Sequence, residues 1–262
     1  MEAFIYFLAF IMGSFLGSFC TLAVYRIPLK QDITHERSYC PKCNHSLGAL
    51  DLIPIFSYIF LGGKCRYCKE KVRIRYLLLE IFFGLTYMLF IMSLNLNLLT
   101  INLNDLAYIL FGTLYLVTLF LIAGIDKEYK NIHKSVLIFG VISVICYIVY
   151  LYVVQGYVLS DNIYRYVIYA IILLMFMLIE SLYKKQKNKA SYVLQILCLF
   201  IFMLLFTGRP VMFLTTICTL LTVAIMNVVK IKKQKKEEKL PIGFYLCVYN
   251  ILFLLIQNFI QN

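Results

Sequence analysis

Tryptophan is absent from this sequence of 262 residues, and acidic side chains are scarce: 13 Asp and Glu stand against 25 Lys and Arg. The first absence leaves anchoring at a membrane surface to some of the 21 tyrosines, a common role for that ring. The second gives a formal net charge of +12 and raises nucleic acid as a partner. The pattern argues against it: the basic residues recur at loop after loop, and their runs lack interleaved aromatic rings on which bases could stack. No basic flank precedes the first apolar run, because the chain opens "MEAF". No small-residue cleavage site follows that run either, so it is expected to stay as a membrane helix rather than act as a cleaved secretory signal. No internal repeat and no low-complexity tail is visible.

What is present is apolar. Hydrophobic residues make up 62% of the chain, with a mean hydropathy of +0.85, more than a soluble core needs. A spanning helix requires about 20 mostly apolar residues. Such runs fall at 4–25, 76–95, 105–125, 135–154, 163–183, 191–206, 211–229 and 242–259. The expected fold is therefore an all-α polytopic membrane protein of about eight transmembrane helices, interrupted by one long polar insert at 26–75. Ten Lys and Arg lie in 26–75, three in 127–134, four in 184–189 and six in 230–239, leaving Arg165 and Arg209 for the other side. Basic loops stay in the cytoplasm, where they face anionic lipid headgroups. With eight crossings, both termini are expected outside and the insert inside.

Nine cysteines occur, and four of them form "CPKC" and "CRYC" within the insert: Cys40, Cys43, Cys65 and Cys68. Two residues between cysteines let a tight turn aim both thiolates at one ion, and two such pairs complete a tetrahedral S4 shell, the usual closed structural zinc site. The competing disulfides are rare in a reducing compartment, and an iron–sulfur cluster is the lesser alternative. With four thiolates at hand, His45 reads as an ordinary loop residue. Cys20, Cys146, Cys198, Cys218 and Cys247 fall inside apolar spans and read as small hydrophobes. The stretch "LIPIFSYIFLGG" between the pairs is too short to cross a bilayer, so it is expected to pack on the membrane face or on the ribbon. Gly13 and Gly17 form a GxxxG in the first span, which allows close approach of a neighbouring helix.

The stretches "GSFLGSFCTLAVYRIP" (13–28) and "RSYCPKCNHSLGALDLIPIFSYIFLGGKCRYCKEKVRIRYLLLE" (37–80) closely resemble the amino-terminal half of the bacterial type IV prepilin peptidases. The resemblance implies a polytopic inner-membrane aspartic protease. Such a protein cuts the short basic leader from prepilins and pseudopilins at the cytoplasmic face and often methylates the new amino terminus with S-adenosylmethionine. On that pattern, 1–25 is the first membrane helix, 26–75 a cytoplasmic zinc-ribbon loop associated with methyl transfer, and 76–262 a seven-helix peptidase-like membrane domain. The partners it implies are prepilins or pseudopilins and the bilayer.

The later half is similar more weakly. Asp126 in "GIDKEYKNIH" fits the first catalytic aspartate, although the Ile-Pro pair that follows it in the family reads Ile132 and His133 here. "LPIGFYL" (240–246) is similar to the start of a late family helix. The second aspartate, carried by the family in a Gly-x-Gly-Asp motif, has no counterpart. This chain reads "KKQKNKASY" there, with Asn188, Lys189, Ala190 and Ser191 in the motif's place, and Gly-x-Gly-Asp occurs nowhere.

Aspartic proteolysis needs two carboxylates sharing a proton. Of the later acids, Asp161 is expected on the opposite side of the membrane, and Glu128 lies beside Asp126 itself. Glu237 and Glu238 belong to a charge run. Glu180, at the cytoplasmic end of the fifth span, is the candidate substitute; its alternative is a snorkelling pair with Lys184. Glu80 either serves the site or pairs with a loop arginine. No strand followed by a glycine-rich turn announces a cradle for S-adenosylmethionine. The readings are thus a prepilin peptidase built on Asp126, a non-proteolytic relative that binds or methylates prepilins, and a non-enzymatic membrane scaffold whose ribbon docks a partner.

Overall fold

A computed structural model describes residues 2–96, 101–155, 162–183, 189–232 and 240–261. Among these described residues eight α-helices follow one another: α1 (Glu2–Arg26), α2 (Phe56–Phe60), α3 (Arg75–Ser93), α4 (Leu103–Tyr129), α5 (Lys134–Gln155), α6 (Asn162–Tyr183), α7 (Lys189–Lys232) and α8 (Ile242–Gln261). Among the described residues, six helices are long and apolar enough to cross a membrane: Ala3–Arg26, Arg75–Ser93, Leu103–Tyr129, Lys134–Val154, Tyr192–Lys230 and Ile242–Gln261. The all-α membrane fold expected from the apolar runs is the fold observed. The chain forms two compact units, Met1–Leu98 and Leu99–Gln261.

In the first unit α1 packs along α3, and glycine makes the contact possible. A Cβ on Gly13 would lie 2.7 Å from Tyr87 Cβ and 2.9 Å from Gly84 Cα. One turn on, a Cβ on Gly17 would meet Phe83 Cβ at 2.8 Å. Helices in lipid gain contact this way because no hydrophobic force favours their own surfaces over acyl chains. At the end of α1, buried Arg26 donates to the carbonyls of Asp32, Glu36 and Arg37 at 2.6, 2.9 and 3.1 Å. Those bonds meet the cost of burying its guanidinium and fold the start of the insert back on the helix.

In the second unit α4 begins with a capping box: Asn102 Oδ1 accepts from the backbone of Asn104 and Asp105, and Asp105 accepts from the Asn102 N–H. It ends at Lys130, whose φ of 52° places it in the left-handed region of a helix C-cap. Its inner face buries Tyr115, Leu116, Leu119, Ile122 and Ile125. Interhelical hydrogen bonds tie this face to α8: the Tyr115 hydroxyl donates to Asn250 Oδ1 at 2.6 Å, and Tyr108 donates to Asn258 at 3.3 Å.

Helix α7 covers two of the eight expected spans, 191–206 and 211–229, and it breaks between them, where Gly208 takes φ 77° and ψ −177° just before Pro210. The two arms double back. Tyr192, at the start, lies 3.0 Å from the Ile242 N–H, while Met226 and Lys230, near the end, line a pocket with Leu240 and Pro241. A straight helix would separate residues 192 and 230 by about 57 Å at 1.5 Å per residue. Proline removes a helical donor and glycine permits the left-handed φ, so the reversal is written locally.

Candidate functional site

Two sites take shape, one in each unit. In the first, the cysteine pairs sit in two tight turns that match position for position. Cys40 N–H donates to His45 O and Asn44 N–H to Cys40 O; Cys65 N–H donates to Glu70 O and Lys69 N–H to Cys65 O. Asn44 and Lys69 both take left-handed φ, 54° and 60°, and the bridges Tyr39 to Ser46 and Lys64 to Lys71 close each turn. This short structural repeat is invisible in the residues outside the cysteines. All four Sγ atoms lie within 4.8 Å of one another, and Cys40 Sγ is 3.8 Å from Cys68 Sγ. Zn–S bonds of about 2.3 Å in a tetrahedron place neighbouring sulfurs about 3.8 Å apart, so the donor set fits that ion.

Cys40 and Cys68, one from each turn, sit in different electrostatic surroundings. The backbone N–H of Cys43, joined by that of Lys42 and working against burial, holds Cys40 down at about 7. At Cys68 the Glu70 backbone pulls the same way, but burial and the three neighbouring thiols outweigh it and push the group up to about 12. Asp51 locks the second turn to the segment after the first, accepting from Arg66 Nε at 2.6 Å, Tyr67 Oη at 3.4 Å and the Gly48 N–H at 3.2 Å. His45 lies outside the group of four sulfurs; its ring sits tilted by 38° against Tyr67 with centroids 3.6 Å apart.

Glu80, five residues into α3, does not pair with an arginine as one reading expected. Its Oε2 accepts the backbone N–H of Ile55 at 2.8 Å. Ile55 has φ 65° and ψ −54°, a strained backbone for a β-branched residue.

In the second unit the site is the end of α4. Asp126 is fully buried. Its Oδ1 accepts from the Tyr192 hydroxyl at 2.8 Å and its Oδ2 from the Phe244 N–H at 2.9 Å. The latter is one of the unpaired donors of the first turn of α8, whose dipole also favours an anion there. "LPIGF" makes the approach possible: Pro241 precedes the helix, and a Cβ on Gly243 would come within 3.1 Å of Asp126 Oδ2. Gln195, one turn after Tyr192, accepts from the Ile132 N–H at 3.2 Å and holds the chain leaving α4. Tyr192 in turn accepts from the Ile242 N–H at 3.0 Å.

Beside this pair lies a pocket of about 530 Å³ lined by Lys127, Lys130, Lys230, Met226, Phe244 and Tyr245, among others. Lys127 Nζ sits 4.9 Å above the Phe244 ring, a cation–π contact.

No second carboxylate reaches Asp126 among the described side chains. Asp105 caps the opposite end of α4, about 30 Å away at 1.5 Å per residue. Glu128 is exposed, and a spacing of two residues turns it to another face of the helix. Glu180 lies in the last turn of α6, with its side chain outside the description; Asp161, Lys184, Asn188, Glu237 and Glu238 lie outside the described residues. Sequence reasoning passed over Tyr192, Gln195 and Gly243. Tyr192 closes the quoted "KKQKNKASY" and Gly243 stands inside the quoted "LPIGFYL", so the segments were visible although the contacts were not.

Residues 11–94 match the family described as the bacterial peptidase A24 N-terminal domain. The prepilin leader peptidase/N-methyltransferase of Vibrio cholerae is 40% identical over 81 residues, covering 28% of this chain and 32% of that protein. Its Myxococcus xanthus counterpart is 38% identical over 78 residues, 30% of this chain and 23% of the relative. That of Bacillus subtilis is 45% identical over 67 residues, 26% and 27%. These matches span about a third or less of the relatives' lengths. The family match ends before Asp126. No solved structure matches the chain. Residues 11–94 thus carry a match to the bacterial peptidase A24 N-terminal domain, and it is over this amino-terminal part that the chain is similar to the prepilin leader peptidase/N-methyltransferases.

Proposed function

We propose that this chain binds prepilins or pseudopilins at the cytoplasmic face of a bacterial inner membrane without cutting them by an aspartic dyad. The observation that carries the reading is the pairing of Asp126 with Tyr192 and the Phe244 N–H. A dyad works because two carboxylates about 3 Å apart cannot both ionise and so share a proton, one acting as base and the other as acid. A phenol, with an ordinary pKa of about 10, donates to a carboxylate but does not share a proton with it at neutral pH. Asp126 is thereby a hydrogen-bonded clamp joining α4, α7 and α8. The lysine-lined pocket beside it agrees, because three ammonium groups repel the basic leader that a leader peptidase must seat next to its acids.

Zinc, bound by Cys40, Cys43, Cys65 and Cys68, would supply a structural cross-link between the two turns and no open coordination position. Methyl transfer, the other half of the relatives' name, would need S-adenosylmethionine. Among the described residues no strand runs into a glycine-rich turn, and no residue is assigned to that cofactor. The ribbon faces the cytoplasm in this reading, with both termini outside, on the distribution of Lys and Arg.

The test is capture. The chain in nanodiscs, mixed with a tagged prepilin from a cell that carries both proteins, should retain the prepilin with its leader in place. Failure to retain it would overturn the proposal. A second reading, leader cleavage with Glu180 as the second acid, draws on the position of Glu180 in the last turn of α6, nine residues before the start of α7 that carries Tyr192. It requires cleavage by the wild type and its loss in Glu180→Gln.

A further inference from the structure

Helix α2 lies between the two cysteine turns and divides cleanly into two faces. Tyr58 turns towards the ribbon: its hydroxyl donates to Val72 O at 3.3 Å, and its ring closes over Gly63. Phe56, Ile59 and Phe60, spaced i, i+3 and i+4 and therefore on one side, are 54%, 62% and 82% exposed. In water such a face would be a liability.

The depth of the segment is fixed by Glu80. The Ile55 N–H, at the residue that opens α2, is held 2.8 Å from the Glu80 carboxylate, and Glu80 lies five residues inside the apolar helix Arg75–Ser93. That places it about 7 Å below the start of α3. On α1, a Cβ at Gly17 would lie 3.1 Å from Glu80 Cα, and Gly17 lies about 13 Å back from Arg26, the end of that membrane helix. Both spans therefore set the start of α2 within the outer part of the bilayer, at the depth that interfacial helices occupy.

The backbone is prepared for that depth. Pro54 has no donor to satisfy, Glu80 takes the Ile55 N–H, and the N–H groups of Phe56, Ser57, Leu61 and Gly63 are bonded to carbonyls within the segment. Irregular backbone is tolerated in a membrane only when its polar groups are satisfied in this way.

We infer that α2 is a re-entrant interfacial anchor: Phe56, Ile59 and Phe60 insert among the acyl chains of the leaflet that the ribbon faces, and so fix the ribbon against the membrane surface. The Lys and Arg residues of the surrounding insert, ten in 26–75, match the anionic headgroups of such a leaflet. This inference is independent of whether prepilins are bound or cut.

The absence of tryptophan gives a direct test, since any tryptophan introduced is the only one in the chain. Phe60→Trp and, separately, Ile59→Trp would be placed in the full chain and reconstituted in vesicles of phosphatidylcholine and phosphatidylglycerol, with or without lipid brominated near the headgroup end of the acyl chain. Lys42→Trp, on the exposed first cysteine turn, serves as the aqueous reference. The inference predicts that both α2 reporters emit at shorter wavelength than Lys42→Trp, lose most of their emission in brominated lipid and resist aqueous iodide. Reporters that are quenched by iodide like Lys42→Trp and ignore bromine would overturn it, whether the face then meets water or a protein partner.

Discussion

The hydroxyl of Tyr192 stands 2.8 Å from Asp126 Oδ1, where an aspartic peptidase would need a second carboxylate, and the same oxygen receives the Ile242 N–H at 3.0 Å. One phenol thus joins the end of α4, the start of α7 and the start of α8. A hydrogen bond to a charged group contributes about 1.5–3 kcal/mol. Tyr192→Phe keeps the ring and removes the donor, so it is expected to cost about 2 kcal/mol in unfolding measured in detergent micelles. An unchanged unfolding midpoint would mean that the clamp is not formed.

Gly243 is where the backbone of α8 meets that carboxylate. A methyl group there would lie 3.1 Å from Asp126 Oδ2 and 3.3 Å from Ile132 Cδ1. Gly243→Ala should therefore destabilise the second unit by about 1–3 kcal/mol, the usual cost of overpacking, although alanine is the better helix former. A gain in stability would show that propensity outweighs the close approach.

The helices were legible in the chain because lipid leaves a plain record: an apolar run of membrane length allows little else. The reversal in α7 could also be read, since the apolar pattern pauses at Gly208, Arg209 and Pro210. The cysteine turns were legible for a related reason, their spacing being dictated by ligand geometry. What the sequence withheld were contacts between distant segments. Tyr192 and Gly243 acquire meaning only when three helix ends meet at Asp126. The residue type of Glu80 suggests a role in the site or a loop arginine as partner, whereas its partner is the Ile55 N–H, and a backbone partner leaves no mark on side-chain identity.

That bond sets a third prediction. Glu80→Leu strands the Ile55 N–H, at a cost of about 1–3 kcal/mol for a buried unsatisfied donor, while Glu80→Gln retains an acceptor oxygen and should lose much less. The left-handed conformation of Ile55 is itself strained by about 1–3 kcal/mol, so Glu80→Leu should release the segment before α2. Increased proteolysis between Pro54 and Gly62 would report the release, and equal resistance in the two variants would contradict it.

The ribbon carries a pH signature through Asp51. Burial raises its pKa, but the Arg66 bond and the Gly48 N–H outweigh burial and leave it below its ordinary value. A carboxylate depressed in the folded state contributes its full stability above its unfolded pKa, about 3.9, and loses it as pH falls through the lower folded value. Arg66 is partly exposed, so solvent screening keeps the contribution modest. Asp51→Asn should accordingly release metal to a chelator faster than the wild type at neutral pH. The difference should close below about pH 4. A difference that grows on acidification would have the wrong sign.

The central claim is that, among the described residues, Asp126 is paired with the Tyr192 hydroxyl and with no second acid. It is tested most directly by the mass of the prepilin amino terminus after co-expression in a host with no other leader peptidase. The account predicts that the leader remains intact with the wild-type chain and with Asp126→Asn alike. A leader removed by the wild type but retained with Asp126→Asn would contradict it.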